Sequence, residues 1–598
     1  MVHRGLTRRE LCASALAVAA APSVSAAAPE RTIDDFFNAF SDEWVRYDPD
    51  LATLARYFSG DEQDRLERQS TPTWSRDWQL GRIRLAKKGL AELRRFDRAR
   101  LNGIQHVSAD LMESRLDILL REEPFLDYEF PIQQMNGANV DLVESLTVDH
   151  PLQAERDAEN YNAVLGQISM RMGEAIALSQ RQGAKNVIPP KFILEATIRQ
   201  MQSFADSSPA QNPLLTTLAQ KTTAIKDLPE ASRSALLADA EKAVSTQVYP
   251  AWKRAIAQLQ SQLPRSSDNS GLWSLKGGLE AYSYFLERFT TTKLTPEEIH
   301  QIGLKQVAAI ETEMDSLFRQ LGRTSGSVKE RIEKLHADLQ YPNPTSEASR
   351  EQIMRDIESI LRDAEKRAAV LFDLRPKAPV VAQAFPAFRE NNAAPSYNPP
   401  SPDGSRPGTF QYPRRLSYMT KFGLRSVVYH ETVPGHHFQI AYEMENQALP
   451  RFRQVLAFGA ISALNEGWGL YAQHLAAESG WYEGDIEGRL GELNSQLFRA
   501  RRLVVDTGIH AKRWTRQQGI DYGIEPSEVE RYAVRPGQAC SYMIGEMKII
   551  ELREKARKAL GDRFSVREFH NQVLQTGTVP LNVLERQIDA WIASKQRA

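Results

Sequence analysis

The residues best suited to metal binding or catalysis form the run HETVPGHH, residues 430–437. It begins like the pattern His-Glu-x-x-His, in which two histidines on one helix face bind zinc and the glutamate acts as a base. Here Pro434 stands where the second histidine belongs, and His436 and His437 follow two and three residues later. The run therefore predicts a metal site only if the chain departs from a regular helix.

The geometry of a helix shows what this departure must achieve. On a regular α-helix His436 is rotated from His430 by about 240°, and His437 lies about 10.5 Å further along the axis. Neither can join His430 on one ion, because Zn–N bonds are about 2.1 Å long. Pro434 removes a backbone donor and Gly435 tolerates unusual backbone angles. A break at this pair would bring His436 back beside His430, and His437 stays open as the alternative.

A third metal ligand is predicted on another helix. Catalytic zinc sites take three protein ligands and leave one position for water. Glu466, in ISALNEGWGLYAQHLAAE, has apolar neighbours, among which a carboxylate is costly unless it is paired or bound to a cation. We predict His430, His436 and Glu466 as ligands of one Zn²⁺ ion, with manganese and cobalt as alternative metals. Glu431 would be the general base on the metal-bound water.

The plain alternative to a metal site is a kinked helix whose imidazoles bond to backbone carbonyl groups. A single histidine is usually explained in this way. The run from residue 430 to 437 holds three histidines and a glutamate, and a second glutamate follows on an apolar helix. This concentration favours the metal site.

Helical patterns dominate the elements that must position these residues. In LTPEEIHQIGLKQVAAIETEMDSLFRQLG, Thr295 can cap a helix, and Glu298 completes a capping box ahead of a one-sided apolar stripe. Strand patterns are short and flank a Pro- and Gly-rich loop, which either lines the site or simply connects its neighbours. The sequence predicts a mainly α fold with a small β element near the site. Further helices are predicted around residues 80–122, 152–183, 230–263, 347–367, 484–518, 542–560 and 580–595, and strands at 378–385 and 408–413.

The first 30 residues have the pattern of an export signal. TRRELCASALAVAAAPSVSAAAPE combines an Arg8–Arg9 pair, a short apolar run and small residues suited to cleavage. We predict a twin-arginine-type signal over residues 1–28 and a periplasmic or secreted location, with an ordinary secretion signal as the alternative. Cys12 lacks the preceding residues typical of a lipid anchor. No other apolar run reaches 18 residues, so we expect no membrane-spanning helix.

Composition excludes several classes of function. The chain has 75 basic and 76 acidic residues, for a net charge of −1, which argues against a nucleic-acid partner. Its two cysteines, Cys12 and Cys540, leave no disulfide framework. We predict that residues 29–598 form one helical unit, with an N-terminal lobe over about 29–375 and a catalytic part over about 376–598.

Five segments together carry a family resemblance: HETVPGHHFQ, NEGWGLYAQ, DTGIHAKRW, RYAVRPGQACSYMIGEMKI and FHNQVLQTGTVPL. They resemble a bacterial family classed as a domain of unknown function, over essentially the whole mature chain. That family is distantly similar to gluzincin peptidases of the thermostable-carboxypeptidase and thimet-oligopeptidase type. The resemblance implies a helical, two-lobed fold with a deep cleft and a His/His/Glu zinc site. The chain departs from gluzincins in the two extra residues before the second histidine.

The same resemblance implies a tyrosine for the site, and residue chemistry adds two further candidates. In those peptidases a downstream tyrosine stabilises the oxyanion, and the similar stretch GQACSY makes Tyr542 the candidate here. His510 could share that role or transfer a proton, and Arg535 could bind a substrate carboxylate through two hydrogen bonds. Each has a plain alternative as a structural residue. We expect Cys540 to be a small buried residue and not a thiol nucleophile.

These expectations combine into a function. The chain is predicted to be an exported zinc-dependent peptidase that hydrolyses short peptides. One alternative keeps the metal and changes the chemistry to a small-molecule amidase, acyl-transfer or cyclising enzyme, because a fold does not fix a function. A second alternative is a periplasmic peptide-binding protein without catalysis. Glu431 argues against the second, because a binding protein needs no base beside its metal.

Overall fold

The computed structural model describes residues 31–385, 390, 394–400 and 406–597. The export signal predicted over residues 1–28 lies outside the described residues. Helices make up most of the described chain, with three short strands in one sheet. The predicted fold class, mainly α with a small β element, is confirmed.

The helices before the sheet fill the chain from residue 33 to residue 368. They are α1 (Ile33–Arg46), α2 (Pro49–Ala55), α3 (Gly60–Glu67), α4 (Arg76–Leu93), α5 (Gly103–Leu120), α6 (Ala138–Glu144), α7 (Glu155–Leu165), α8 (Ile168–Ala184), α9 (Lys191–Ala205), α10 (Pro213–Thr222), α11 (Glu230–Ala243), α12 (Tyr249–Gln262), α13 (Gly278–Thr290), α14 (Pro296–Gln320), α15 (Val328–Asp338) and α16 (Glu347–Ala368).

The sheet and the remaining helices follow. The strands are β1 (Val380–Ala384), β2 (Ser396–Asn398) and β3 (Gly408–Tyr412). The central strand is β3, which pairs in parallel with β1 and antiparallel with β2. The helices after the sheet are α17 (Leu424–Glu431), α18 (His436–Glu445), α19 (Arg451–Gln454), α20 (Ser462–Glu478), α21 (Ile486–Ala511), α22 (Arg516–Asp521), α23 (Pro526–Val534), α24 (Ser541–Leu560), α25 (Val566–Thr576) and α26 (Leu581–Arg597).

Local sequence signals explain where several helices begin. The capping box before α14 is present, because the Thr295 hydroxyl accepts from the Glu298 amide and the Glu298 carboxylate accepts from the Thr295 amide. The helix predicted over 80–122 is two helices instead. Asn102 caps the second one by accepting from the Gln105 amide, which fixes a new start at α5.

Two large hydrophobic cores organise the chain. One core joins residues from both ends of the sequence, among them Phe36, Leu116, Leu470 and Trp591. The buried residues of a second core all lie between Ile132 and Leu259. The division predicted near residue 375 therefore does not separate these cores, because the first helices pack with the last ones. Within the described residues, none of the helices has the length and apolar character that a membrane crossing requires.

Buried histidines tie distant helices together. His570 on α25 is fully buried, and its Nδ1–H donates to the carbonyl oxygen of Leu371 at 2.8 Å. Its Nε2 accepts from the hydroxyl of Tyr471 on α20, also at 2.8 Å. Burial lowers the pKa of His570 to about 4, so the imidazole is neutral near pH 7.

We expect His570 to make the stability of the fold depend on pH. Its folded pKa of about 4 lies below the value of about 6.5 for an unfolded histidine. The unfolded chain therefore binds the extra proton between these values, and stability falls as pH drops from about 6.5 towards about 4. The contribution of this residue reaches about 3 kcal/mol. His570→Gln should flatten the fall, as measured by urea unfolding at pH 7.5, 6 and 4.5.

The matched control is His106→Gln, a partly exposed histidine on α5, which shows whether replacement of any histidine by glutamine alters the pH dependence. An unchanged slope for His570→Gln would show that this imidazole does not titrate in the predicted window.

Candidate metal centre

The chain breaks at the proline of the HETVPGHH run. Helix α17 ends at Glu431, α18 begins at His436, and the Val433–Pro434 peptide bond between them is cis. Gly435 lies against the end of α17, so closely that a Cβ there would be 1.9 Å from the carbonyl oxygen of His430. Only glycine fits this approach. The break thus requires the residue type that the sequence supplies.

The break brings His436 back to His430. Their ring centroids are 4.6 Å apart, and both Nε2 atoms face the Glu466 carboxylate on α20. One ligand atom from each of these three residues lies within 4.8 Å of the others. Among the described residues, this is the one group of three or more histidine, cysteine or acidic side chains with such spacing. The three side chains predicted as ligands are therefore assembled at one point.

The separations within this group suit a shared ion better than direct bonding. From Oε2 of Glu466, Nε2 is 3.7 Å away in His430 and 3.5 Å away in His436. A hydrogen bond from nitrogen to oxygen spans about 2.7–3.2 Å. Ligands on a tetrahedral zinc with bonds of about 2.0–2.1 Å lie about 3.3 Å apart. The residues present fit a metal ion.

Hydrogen bonds to carbonyl groups do not account for the two imidazoles. Nδ1 of His430 and Nδ1 of His436 are both buried, and neither has a hydrogen-bond partner in the described part of the chain. The kinked-helix alternative expects imidazoles bonded to backbone carbonyls. That description does not apply to these two histidines.

His437 has the role that the kinked-helix alternative describes. Its Nε2–H donates to the carbonyl oxygen of Ala378 at 3.1 Å, and its Nδ1 accepts from the Tyr397 hydroxyl at 3.0 Å. Both ring nitrogens are used, so His437 has none left for a metal. It joins α18 to the sheet, where a Cβ on Gly408 would be 2.7 Å from Nδ1. The alternative second histidine is therefore in a structural position.

Helix α20 positions more than the third ligand. A Cβ on Gly469 would be 2.7 Å from the ring of His430, so the imidazole packs directly against the backbone of this helix. A Cβ on Gly467 would be 2.6 Å from Cα of Gly545, where α20 crosses α24. The indole N–H of Trp468 donates to the carbonyl oxygen of Pro434 at 2.9 Å. The segment NEGWG thus supplies Glu466, space for His430 and support for the break.

The charge states of His430 and Glu466 are those that bind a cation. For His436, burial acts to lower the pKa, but the Glu466 and Glu431 carboxylates outweigh it and raise that pKa, so metal binding there displaces a proton. Burial lowers the pKa of His430 to about 4, which keeps its imidazole neutral. Burial acts to raise the pKa of Glu466, but the two neighbouring imidazoles outweigh it and hold that pKa well below its usual range. A neutral imidazole and an ionised carboxylate are the forms that bind metals. The Glu466 side chain is 24% exposed, so solvent reaches the group.

Glu431 lies beside this group and has the properties of a base near neutral pH. Burial raises the pKa of its carboxyl to about 7, against the opposing effect of His436. A proton acceptor works best when its pKa is close to the operating pH.

Sequence reasoning missed Arg499 on α21. Its charge acts on Glu431 and on Glu466, and its guanidinium lies 5.8 Å from the ring centre of Tyr542. It is held by a bond of 2.7 Å to the Ser495 hydroxyl. The sequence pattern that could have identified it is the three-residue spacing of Arg499 and Arg502, which places both arginines on one face of a mostly buried helix.

Tyr542 and Arg535 lie on the same side as Arg499. Tyr542 is 9% exposed, and the guanidinium of Arg502 lies 4.5 Å from its ring centre. Arg535 is exposed at the end of α23, with its guanidinium 5.6 Å from the ring centre of Phe289. Tyr542 is therefore buried against Arg502, whereas Arg535 is exposed to solvent.

The structure contradicts the catalytic role predicted for His510. This residue is fully buried and both its nitrogens bond to the backbone. Nδ1 accepts from the Leu272 amide at 3.1 Å, and Nε2–H donates to the carbonyl oxygen of Tyr532 at 2.9 Å. No ring nitrogen is free for an oxyanion or a proton transfer. Cys540 is buried as expected, and burial raises the pKa of its thiol, which disfavours a thiolate.

The family of this chain follows from its match to known proteins. The chain belongs to a bacterial protein family of unknown function, DUF885, which matches residues 49–588. The predicted membership in such a family is confirmed. Among curated proteins, none matches the chain significantly.

Two solved structures share the fold. The chain is 30% identical to the putative lipoprotein from Colwellia psychrerythraea, over 95% of this chain and 100% of that one, with a TM-score of 0.89. It is 18% identical to a putative lipoprotein of unknown function from Shewanella oneidensis, over 93% and 99% of the two chains, with a TM-score of 0.70. The second similarity concerns the fold alone.

We expect Gly435→Ala to destabilise the protein strongly. The new methyl group would meet the His430 carbonyl oxygen at 1.9 Å, and backbone atoms cannot move away as a side chain can. We expect a loss of about 1–3 kcal/mol or more in urea unfolding.

The matched control is Gly173→Ala in α8, where an added Cβ meets no atom within 4 Å. This substitution should be neutral or stabilise by up to about 1 kcal/mol, because alanine favours the helix. Equal stability of the two variants would contradict the close approach at Gly435.

Proposed function

We propose that this protein is a zinc-dependent hydrolase that cuts amide bonds in short peptides. One observation carries the proposal. His430, His436 and Glu466 converge with Nε2 to Oε2 separations of 3.5 and 3.7 Å, and a carboxylate with a pKa of about 7 lies next to them. Three ligands and an adjacent base form the arrangement used for metal-assisted hydrolysis.

His430, His436 and Glu466 would hold the ion. When bound, zinc lowers the pKa of water to about 7 and polarises a carbonyl group. Glu431 takes the proton from the attacking water and passes it to the leaving amine, since its raised pKa suits both directions of transfer. Its position next to His430 in sequence, at the end of α17, holds it beside the ligands.

Arg499 and Tyr542 would stabilise the negative charge that develops on the carbonyl oxygen of the substrate. Donors aimed at an oxyanion stabilise the transition state more than the ground state. Arg499 also steadies the two carboxylates of the site through its own charge. Arg535 would hold a carboxylate of the substrate, because a guanidinium presents two parallel donors to that group. The enzyme would then favour peptides with a free carboxylate within reach of the site.

We also propose that the protein is exported. The two related structures are described as putative lipoproteins, which suggests a place in the cell envelope for them. The first residues of this chain carry the pattern of a twin-arginine-type signal. Fusion of residues 1–28 to a reporter that must fold before export tests this route.

Metal binding is the first test of the function. We expect the purified protein to hold about one zinc ion per chain, measured by plasma mass spectrometry. His436→Gln and Glu466→Gln should lose the metal, because each removes one of three ligands. His437→Gln should keep it, because His437 bonds to Tyr397 and Ala378.

The adjacent histidines are matched in type and differ only in the direction of the side chain. Metal loss in His437→Gln with retention in His436→Gln would contradict the assignment. A purified protein without any transition metal would refute the enzyme proposal.

The base is tested with Glu431→Gln. This variant should keep its zinc and lose peptide hydrolysis by about 10²- to 10⁴-fold, because the amide cannot accept the proton. Kinetics on a peptide library give the measurement. Glu483→Gln on the exposed surface is the control and should keep full activity. Persistent cleavage by Glu431→Gln would show that another group is the base.

The substrate preference is tested with Arg535→Gln. Removal of the guanidinium should raise KM for peptides with a free carboxyl end by about 10-fold, with little change in kcat. The same peptides with an amidated end should be poor substrates of the wild type and unaffected by the variant. An equal effect on both peptide forms would remove Arg535 from substrate recognition. Cleavage of small amides without cleavage of peptides would favour an amidase.

A further inference from the structure

Three arginines gather around a cavity away from the candidate metal centre. Arg82 on α4, Arg115 on α5 and Arg288 on α13 line a cavity of about 240 Å³, here called the arginine cavity. An adjoining cavity of about 950 Å³ shares Arg115, Ile118 and Arg288 with it. Neither cavity is lined by a residue of the HETVPGHH run or by Glu466. The arginine cavity is therefore separate from the site described above.

Two of the three arginines, Arg82 and Arg288, pair with carboxylates, and Arg115 does not pair with a carboxylate of the described residues. The buried Glu122 carboxylate bonds Arg82 through Oε2 at 3.1 Å and Arg288 through Oε1 at 3.0 Å. Arg288 also pairs with Glu129. Both oxygens of Glu122 are thus in use, and Arg115 has no salt bridge to any described residue.

One of the three nitrogens of the Arg115 guanidinium is bonded to the protein among the described residues. Its Nε–H donates to the carbonyl oxygen of Phe458 at 2.8 Å. Its two terminal amino groups donate to no protein atom in the described part of the chain. Burial and the neighbouring Arg288 and Arg82 lower its pKa to about 10, so it remains charged at neutral pH. A guanidinium in this situation is stabilised by an anion that enters the cavity.

Aromatic side chains form much of the remaining wall, and their N–H and O–H groups already donate to backbone carbonyl oxygens. The rings are those of Trp44, Tyr47, Trp78, Tyr284 and Phe458. The two indole N–H groups donate to the carbonyl oxygens of Ala457 and Tyr47, and the two tyrosine hydroxyls to those of Trp78 and Ile118.

One acid lines the cavity, and it is engaged elsewhere. Oδ1 of Asp48 accepts from the Leu51 amide and from the Thr71 hydroxyl. Asp48 thus caps α2 and does not pair with Arg115. The free donors that face the cavity belong to the arginines, and the remaining surface suits a flat apolar group.

We propose that the arginine cavity binds a small organic carboxylate with a single aromatic or apolar group. The carboxylate would take the two terminal amino groups of Arg115 through parallel hydrogen bonds, which match the fork of the guanidinium. The apolar group would lie among the aromatic rings, with Arg82 over the face of Trp78 at 5.1 Å. A small, fully hydrated ion such as phosphate gains nothing from these walls and loses its hydration.

Calorimetry on the full-length protein with 3-phenylpropionate tests this proposal. We expect saturable binding of the carboxylate. The neutral 3-phenylpropionamide should bind about 10-fold more weakly or worse, because it cannot make charge-assisted bonds. Inorganic phosphate should bind more weakly than 3-phenylpropionate. Absence of carboxylate binding, or equal binding of the amide or of phosphate, would overturn the proposal.

Variants locate the binding. Arg115→Met should weaken the binding of 3-phenylpropionate by about 10-fold or more. Arg115→Lys keeps the charge and removes the fork, so it should also weaken binding and serves if the methionine variant does not fold. The matched control is Arg94→Met, which lines only the larger cavity and pairs with Glu113.

The metal-site variant His436→Gln separates this proposal from the proposed function. It should bind 3-phenylpropionate as the wild type does, because its side chain does not line the arginine cavity. Loss of binding in His436→Gln or in Arg94→Met, or full binding in Arg115→Lys, would place the carboxylate somewhere else.

Discussion

The contact between Gly435 and the end of helix α17 is the constraint on which the site depends. Because no Cβ intervenes, Gly435 lies against the carbonyl oxygen of His430, and four residues separate the end of α17 from the start of α18. The new helix then directs two adjacent histidines differently. One turns its Nε2 towards Glu466, and the other bonds Tyr397 in the sheet and the carbonyl oxygen of Ala378 just before β1. Successive helical residues differ by about 100°, so only one can face the group.

A single turn of α20 completes the arrangement. Glu466 points to the two imidazoles, Gly467 lets α24 cross closely, Trp468 holds the proline carbonyl, and Gly469 admits the His430 ring. Small residues are placed where backbone or an imidazole must approach, and the carboxylate is placed where two nitrogens converge. The packing of α20 and the chemistry of the group therefore depend on the same four residues.

Arginines act in two distinct settings in this molecule. Arg499 shares its surroundings with Glu431, Glu466 and Tyr542, where its charge supports the two carboxylates. Arg115 lies in an aromatic cavity and has no carboxylate partner among the described residues. A guanidinium beside a carboxylate of the protein stabilises that carboxylate. A guanidinium without such a partner can bind an anion from solution.

The sequence by itself determined the mainly α class, the capping box at Thr295, and the need for a break at the proline. These depend on local propensities and on the period of a helix, which neighbouring residues alone reveal. Only the tertiary structure placed His436, and not His437, beside His430 and Glu466, gave His510 a structural position and brought Arg499 next to the group. These outcomes depend on which helices cross and how closely, and residues far apart in sequence, such as Gly469 beside His430, decide that.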